Sequence, residues 1–268
     1  MTPKNKMTTE QGDSPYILAI GIGALDQSAL CRIQTISLGN IRVASVTDEK
    51  IPEATRSLIA KADLLFIIAD LDCVAESNLV PMIGGMARQR GSLSIGIVVA
   101  STAKKPGESE RRTKRLAEFV DALILIPCQP IATPQETENC VDAIVKTIAD
   151  IHGAITNIGM VNLDFSDLKI ILTNAGIVKM GIACASGVDR AERATLCVLE
   201  KLKQAGLKSH TARRVLIYVE STDSLTLSEV CTVLDFFDHL SPQQLVLIAS
   251  ATNNQMGERL CLTMFATE

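Results

Sequence analysis

The sequence reads as an α/β protein: a largely parallel sheet over residues 15–127, a long central helix, and a smaller α+β domain in the last hundred or so residues. Three observations predict this. Strand-like apolar runs alternate with helical segments through the first half, as parallel strands joined by crossovers require. The run Leu64 to Ala69 is continuously apolar rather than alternating, which suits a strand buried on both faces. From about Pro134 to Ala154, apolar residues recur at Val141, Ile144, Val145, Ile148 and Ile151, the three-and-four spacing of a helix with a core-facing stripe. The expected division is a disordered tail over 1–14, a first domain over 15–133, a central-helix segment over 134–158 and a C-terminal domain over 159–268. The two domains are expected to carry separate sheets, the second over about 178–268 with its last two strands paired directly.

Taken in order, Tyr16 to Gly23 is an apolar strand that runs into glycines, followed by a helix through Leu30 and Ile33. A strand, a glycine turn and a helix form the usual Rossmann-like opening of a nucleotide-binding domain, with Gly21 and Gly23 as candidate phosphate-facing positions. The third glycine of the G-x-G-x-x-G pattern is replaced by Asp26, so the match is partial. Ile41 to Val46 is a second strand and Leu64 to Ala69 a third. The loop Asp70-Leu-Asp-Cys-Val-Ala-Glu-Ser-Asn78 contains no glycine and leads into a helix with Pro81 in its first turn. Leu93 to Ala100 is a fourth strand, Glu110 to Val120 a helix, and Ala122 to Ile126 a fifth strand.

Beyond the central helix lies the stretch from Gly159 to Ala194, GMVNLDFSDLKIILTNAGIVKMGIACASGVDRAERA. Asp164 and Asp167 stand just ahead of the apolar positions Leu168, Ile170, Ile171 and Leu172, where acids suit the positive end of a helix dipole. Asn174-Ala175-Gly176 is a left-handed stop signal, Val178 to Ala185 a strand, and Ser186-Gly-Val-Asp189 a second helix start. The strand Val215 to Glu220, the helix Leu225 to Leu240 and the strands Leu245 to Ser250 and Leu260 to Thr267 complete the pattern. On local chemistry the two acids cap a helix.

The residues Asn162-Leu-Asp164-Phe-Ser-Asp167 closely resemble the N-x-D-x-x-D synergy loop of FtsZ, the bacterial relative of tubulin, and ASGVDRAERA resembles the matching run of its second domain. The likeness extends from about Tyr16 to Glu268. It implies a tubulin/FtsZ-like fold, with the loop at the end of the central helix reaching into the nucleotide pocket of a neighbouring subunit. There its acids would help position the attacking water, so Asn162, Asp164 and Asp167 are candidate in-trans or interface residues.

The same resemblance exposes departures. In FtsZ the first turn is a longer glycine run that meets phosphate, where this chain has Ala24, Leu25 and Asp26. Val46-Thr47-Asp48 resembles the family's Asn-Thr-Asp without its Asn, and the connection from Asp48 to Ala62 is shorter than the family's, which carries a helix and a phosphate loop. The family's G-G-G-T-G-T-G signature is replaced by Asp70 to Asn78. Side chains such as Asp72, Glu76 and Ser77 occupy the approach of bare backbone N–H groups to phosphate. An acid about 4 Å from a phosphate charge costs on the order of 4 kcal/mol at an effective dielectric near 20. The guanine-reading positions are represented at best by Asn139.

Composition narrows the classes further. The chain has 268 residues, 47% of them hydrophobic, a net charge of −4 and no basic block beyond Lys104 to Arg115, so nucleic acid is not an expected partner. No apolar run is long enough for a membrane helix, and the polar first 14 residues lack a signal-peptide core, so the expected location is cytoplasmic without direct membrane insertion. FtsZ's flexible linker and C-terminal peptide have no counterpart here, which implies that any membrane connection is indirect. The eight cysteines stand singly in apolar segments and are expected to be buried and reduced. With three scattered histidines, the spacing supports no metal site. The expected function is that of an FtsZ-like pseudo-GTPase without cofactor. It would act by self-association, or by contact with an FtsZ-like protein through the 159–167 loop face. The alternative is a divergent, polymerising GTPase that binds GTP.

Overall fold

The computed structural model describes residues 14–36, 40–47, 50–71, 78–101, 106–128, 134–207, 212–237 and 244–267. In chain order the elements are β1 (Ile17–Ile22), α1 (Ala24–Thr35), β2 (Ile41–Val46), α2 (Glu53–Ile59), β3 (Leu64–Asp70), α3 (Leu79–Arg90), β4 (Leu93–Ser101), α4 (Pro106–Ala117), β5 (Ala122–Cys128) and the central helix α5 (Pro134–Thr156). There follow α6 (Phe165–Leu172), β6 (Gly176–Ser186), α7 (Arg190–Gln204), β7 (Arg214–Ser221), α8 (Leu227–Asp235), β8 (Leu245–Thr252), a 3-10 turn (Asn254–Met256) and β9 (Arg259–Thr267). The tail expected over 1–14 lies almost entirely outside the described residues.

The strands form one nine-stranded sheet in the order β2-β1-β3-β4-β5-β6-β9-β7-β8. The expectation of two separate sheets is therefore corrected. The first five strands are parallel, and β6 continues them, pairing in parallel with β5 from Ala122↔Gly176 to Ile124↔Val178 before leaving to run antiparallel to β9. The join has a local cause. The Asp121 carbonyl accepts from the Ala175 and Gly176 amides at 2.6 and 3.0 Å. Its carboxylate takes the Ser94 amide and hydroxyl at 2.9 and 2.7 Å. Asn174 and Gly176 sit at φ 50° and 67°, so the chain turns sharply at the end of α6 and starts β6 beside β5. The last two strands do not pair with each other either. β9 inserts antiparallel between β6 and β7, and β8 pairs in parallel with β7 at the edge.

Among the described residues four apolar clusters sit on this sheet, the smallest being Ala154 of the central helix with Tyr218, Ala249 and Ala251 of the later strands. One lies under α2, α3 and α4 on one face of the parallel part, through Leu65, Ile67, Val80 and Ile83. A second lies under α7 and α8, through Ala194, Val198, Ile217 and Leu262. The largest joins both ends of the chain: Ile17, Phe66 and Ile95 of the parallel strands, Leu216 and Phe265 of the later ones, and Val141, Ile144, Val145, Ile148 and Ile151 of the central helix, all buried together. The predicted helical stripe is thus the element that both halves share.

The cysteine expectation also needs correction. Cys184 and Cys261 are directly opposed in the β6/β9 register and are disulfide-bonded, 77 residues apart in sequence. Cys140 is disulfide-bonded as well. Cys31, Cys197 and Cys231 are free but exposed rather than buried. Opposition across an antiparallel pair brings Cα atoms within bridging distance, and chain spacing cannot show it.

Candidate functional site

The strand order β2-β1-β3-β4-β5 reverses direction at β1, and in open α/β sheets the ligand crevice lies at such a point, beyond the carboxyl ends of the strands, here those of β1 and β3. Two predicted segments meet there. Ile22 is level with Ala69 in the β1/β3 register, which puts the turn at Gly23 and the end of β3 at Asp70 on the same edge. Gly21 lies within β1. Gly23 takes φ 110°, a torsion that favours glycine, and α1 begins immediately after it without a side-chain cap. Across the crevice α3 starts at Leu79 after Asn78, again without a side-chain cap. Asp72, Glu76 and Ser77 lie outside the described residues.

Asn139 is exposed on the second turn of the central helix, where its Oδ1 accepts from Gln135 Nε2 at 3.3 Å. Arg32 of α1 donates to Glu138 at 3.2 Å and pairs with Asp142, so this end of the helix is held against α1. Cys140, the next residue, is buried. Asn139 is therefore placed near α1, engaged with its own helix.

Asn162, Asp164 and Asp167 lie at the other end. The central helix has 23 residues, about 34 Å at 1.5 Å per residue, so the loop that follows it is far from the start of the helix and Asn139. The loop is rigidly made. Asn162 Oδ1 accepts the Gly159 amide at 2.9 Å. Asp164 is the N-cap of α6: its Oδ1 accepts the Asp167 amide at 2.9 Å, while Asp167 Oδ2 accepts the Asp164 amide at 3.0 Å. This reciprocal capping box satisfies two otherwise orphaned donors. The Ser166 hydroxyl donates to Asp164 at 2.6 Å. That bond, with the Asp167 amide, holds the Asp164 carboxyl below the usual carboxylate range. The loop is also fixed from the side of β8. The Ser250 amide donates to the Val161 carbonyl at 2.8 Å and the Val161 amide to Ser250 Oγ at 2.9 Å. Gly159 passes so near that a Cβ on it would stand 1.9 Å from the Ser250 carbonyl oxygen.

Around these acids the surface is unusually apolar. Ile158 is 86% exposed, Met160 48% and Ile170 56%. At the far end of α6, Arg214 of β7 donates one nitrogen to the carbonyls of Ile170, Ile171 and Thr173 at 3.0, 3.2 and 2.8 Å. A guanidinium there complements the negative end of the helix.

Sequence reasoning missed the polar groups that attach the central helix to the later strands. Lys146 Nζ pairs with Asp150 one turn on, and with Glu220 of β7 at 3.1 Å. Asp150, 2% exposed, also accepts the Thr263 hydroxyl at 2.6 Å. Burial pushes the Asp150 carboxyl up despite Lys146 and Thr263. For Glu220 burial acts in the same sense, but the Lys146 charge and the hydrogen bonds from Asn253 and Lys146 outweigh it and hold the group low. Asn157 Nδ2 donates to the Tyr218 hydroxyl at 2.8 Å, and burial pushes that phenol above its ordinary value. The signal was present in the sequence: Lys146, Asp150, Gly153 and Asn157 recur at three- and four-residue spacing, one face of a helix. What they meet was not.

No protein-family model matches the chain. Among curated proteins it is similar to the cell division protein FtsZ of Pseudomonas aeruginosa, 26% identical over 231 residues, covering 80% of this chain and 58% of that protein. FtsZ of Azotobacter vinelandii is 27% identical over 228 residues, with the same coverage. The chain thus spans 58% of the length of these relatives. Among solved structures, an empty FtsZ dimer from M. jannaschii superposes with a TM-score of 0.79 at 18% identity, over 100% of this chain and 93% of that one. A GTPγS-bound protofilament of CetZ2 from Haloferax volcanii gives 0.69 at 14%, over 93% and 92%. No described helix is long and apolar enough to cross a membrane. In sequence the chain is similar to FtsZ, and in fold it is tubulin/FtsZ-like.

Proposed function

We propose that this chain is a non-catalytic, FtsZ-like cytoskeletal or division-related protein that acts by association through its 159–167 loop face. One observation carries the reading: the segment from Asp70 to Asn78, which follows β3 in the sequence, has no glycine and has acids in its place. A phosphate cradle needs bare N–H groups and close backbone approach, and neither is supplied by side chains of the same sign as the ligand. Asn139 adds little toward a base, since its amide is engaged with Gln135. The loop face, by contrast, is built for contact. Its acids are held by a capping box beyond the C-terminal end of the central helix, and Ile158, Met160 and Ile170 stand exposed beside them. Carboxylates offered to a neighbour need nothing from their own pocket. The occupant of this face is an FtsZ-like subunit or a second copy of the chain, in keeping with the dimer and protofilament forms of its structural relatives. A divergent GTPase is the second reading, favoured by Gly23, which keeps a glycine torsion at the start of α1.

Two measurements on one preparation test this. Millimolar GTP leaves the melting temperature unchanged, because a ligand of the native state well above its Kd stabilises the fold; a rise of several degrees specific to GTP refutes the non-catalytic reading. The chain alters sedimentation or GTP turnover of an FtsZ filament, and the Asp164→Asn, Asp167→Asn double variant does not, at a nearly equal melting temperature. Asparagine keeps the acceptor oxygens of the cap and removes the charge. If neither protein affects the filament and neither self-associates, the loop acids serve only α6.

A further inference from the structure

The two faces of the central helix differ in kind. Its apolar face, Val141, Ile144, Val145, Ile148 and Ile151, is buried in one cluster with the parallel strands and with Leu216 and Phe265 of the later ones, and apolar burial is non-directional. Toward the later strands it also presents a polar stripe whose members meet specific groups on those strands. Lys146 reaches Glu220 on β7 at 3.1 Å, and Asp150 takes the Thr263 hydroxyl on β9 at 2.6 Å. Gly153 makes room for the Tyr218 hydroxyl, 2.4 Å from where a Cβ would stand, and Asn157 donates to that hydroxyl at 2.8 Å. The stripe continues into the chain beyond the helix as Gly159 and Val161 against Ser250 of β8. Sliding the helix by one turn, about 5.4 Å, would carry Lys146 away from Glu220 and Asp150 away from the Thr263 hydroxyl.

We propose that this stripe is a register latch: it fixes the axial position of the central helix on the later strands, and through Asn157 and Ser250 it holds the 158–167 loop in its presenting position. The groups that face one another across it are Lys146 and Asp150 of the helix, Tyr218 and Glu220 of β7, Thr263 of β9, and Asn253 in the turn after β8. The apolar side tolerates small displacement, while the polar side has a single register. The central helix and the loop therefore move as one body with the later strands. The consequence for association rests on the loop-face reading above; the latch itself does not.

Amide hydrogen exchange on the full chain tests the latch with two variants. Tyr218→Phe removes only the hydroxyl that accepts from Asn157, and Lys146→Met removes the cation. The Val161 and Ser250 amides, which bond across the loop/β8 contact, are expected to exchange about fivefold faster in each variant, the equivalent of one lost hydrogen bond, with β1, β3 and β4 unchanged. Unchanged exchange at both amides in Tyr218→Phe, or uniform acceleration throughout the chain in both variants, overturns the latch. Faster exchange at the two amides with an unaltered effect on FtsZ sedimentation leaves the latch standing and refutes the loop-face reading alone.

Discussion

Replacing Gly159 with alanine probes how the loop is held, because the contact at that residue is steric and can be sized. A Cβ there meets the Ser250 carbonyl oxygen at 1.9 Å, its carbon at 2.5 Å and Oγ at 2.7 Å. Two of these are backbone atoms in an edge strand already paired with β7, and they do not swing aside. The loop must retreat by on the order of 1 Å, which stretches the Ser250-to-Val161 and Val161-to-Ser250 hydrogen bonds beyond useful length. Two such bonds contribute about 1–3 kcal/mol. Against this, alanine restricts the unfolded chain and returns about 0.4–1 kcal/mol. The net expectation is a destabilisation of about 1–2 kcal/mol, or roughly 2–8 °C in melting temperature for a chain of this size. Urea denaturation with the m-value held constant measures it, with Gly85→Ala as the control, since a Cβ there meets nothing within 4 Å. A Gly159→Ala protein as stable as the parent would mean that the loop does not rest on β8, and the argument that Ser250 positions the acids would fail.

Two further outcomes are expected. In α3, Gly84→Ala places a Cβ 2.0 Å from the Phe119 carbonyl oxygen and should destabilise by about 1–3 kcal/mol, whereas Gly85→Ala should stabilise by about 0.5–1 kcal/mol; equal midpoints for the two variants in urea would contradict the packing of α3 on the turn that follows α4. Glu220 and Glu229 are both held low against the pull of burial, the first by Lys146 and Asn253, the second by Arg190, which bonds it at 2.6 and 3.2 Å, and by Thr226. Their contribution is therefore present above the unfolded value of about 4.3 and lost as the pH falls below it. Asp150, raised by burial, works in the opposite sense, its contribution fading as the pH rises through its folded value. Urea midpoints between pH 7 and pH 3 should fall on the acid side, and Glu229→Gln should flatten that fall; an acid limb of unaltered steepness in the variant would remove Glu229 from the account.

Much of the fold was legible because its determinants are local. Continuous apolar runs marked β3 and β4, three-and-four spacing marked the central helix, and Asn174 and Gly176 marked the stop of α6 where the chain does take positive φ. The pair Asp164 and Asp167 was readable as a helix start for the same reason: a capping box closes within four residues, and its partners are near neighbours in sequence. Gly21 and Gly23 were placed correctly at the end of the first strand, since a strand followed by a glycine turn and a helix is itself a local pattern.

What only the tertiary structure decided involves partners far apart in the chain. Whether the sheet is one or two depends on Asp121 gathering the start of β6 beside β5, a contact across more than fifty residues. Cys184 and Cys261 meet only because β9 returns between β6 and β7 rather than beside β8. The polar stripe of the central helix could be counted in the sequence, yet nothing local distinguishes a solvated Lys146 and Asp150 from a pair set against Glu220 and Thr263. Short-range torsions and periodicities are written into neighbouring residues. The register of one strand on another, and the partner of a buried charge, are settled by the packing of the whole chain.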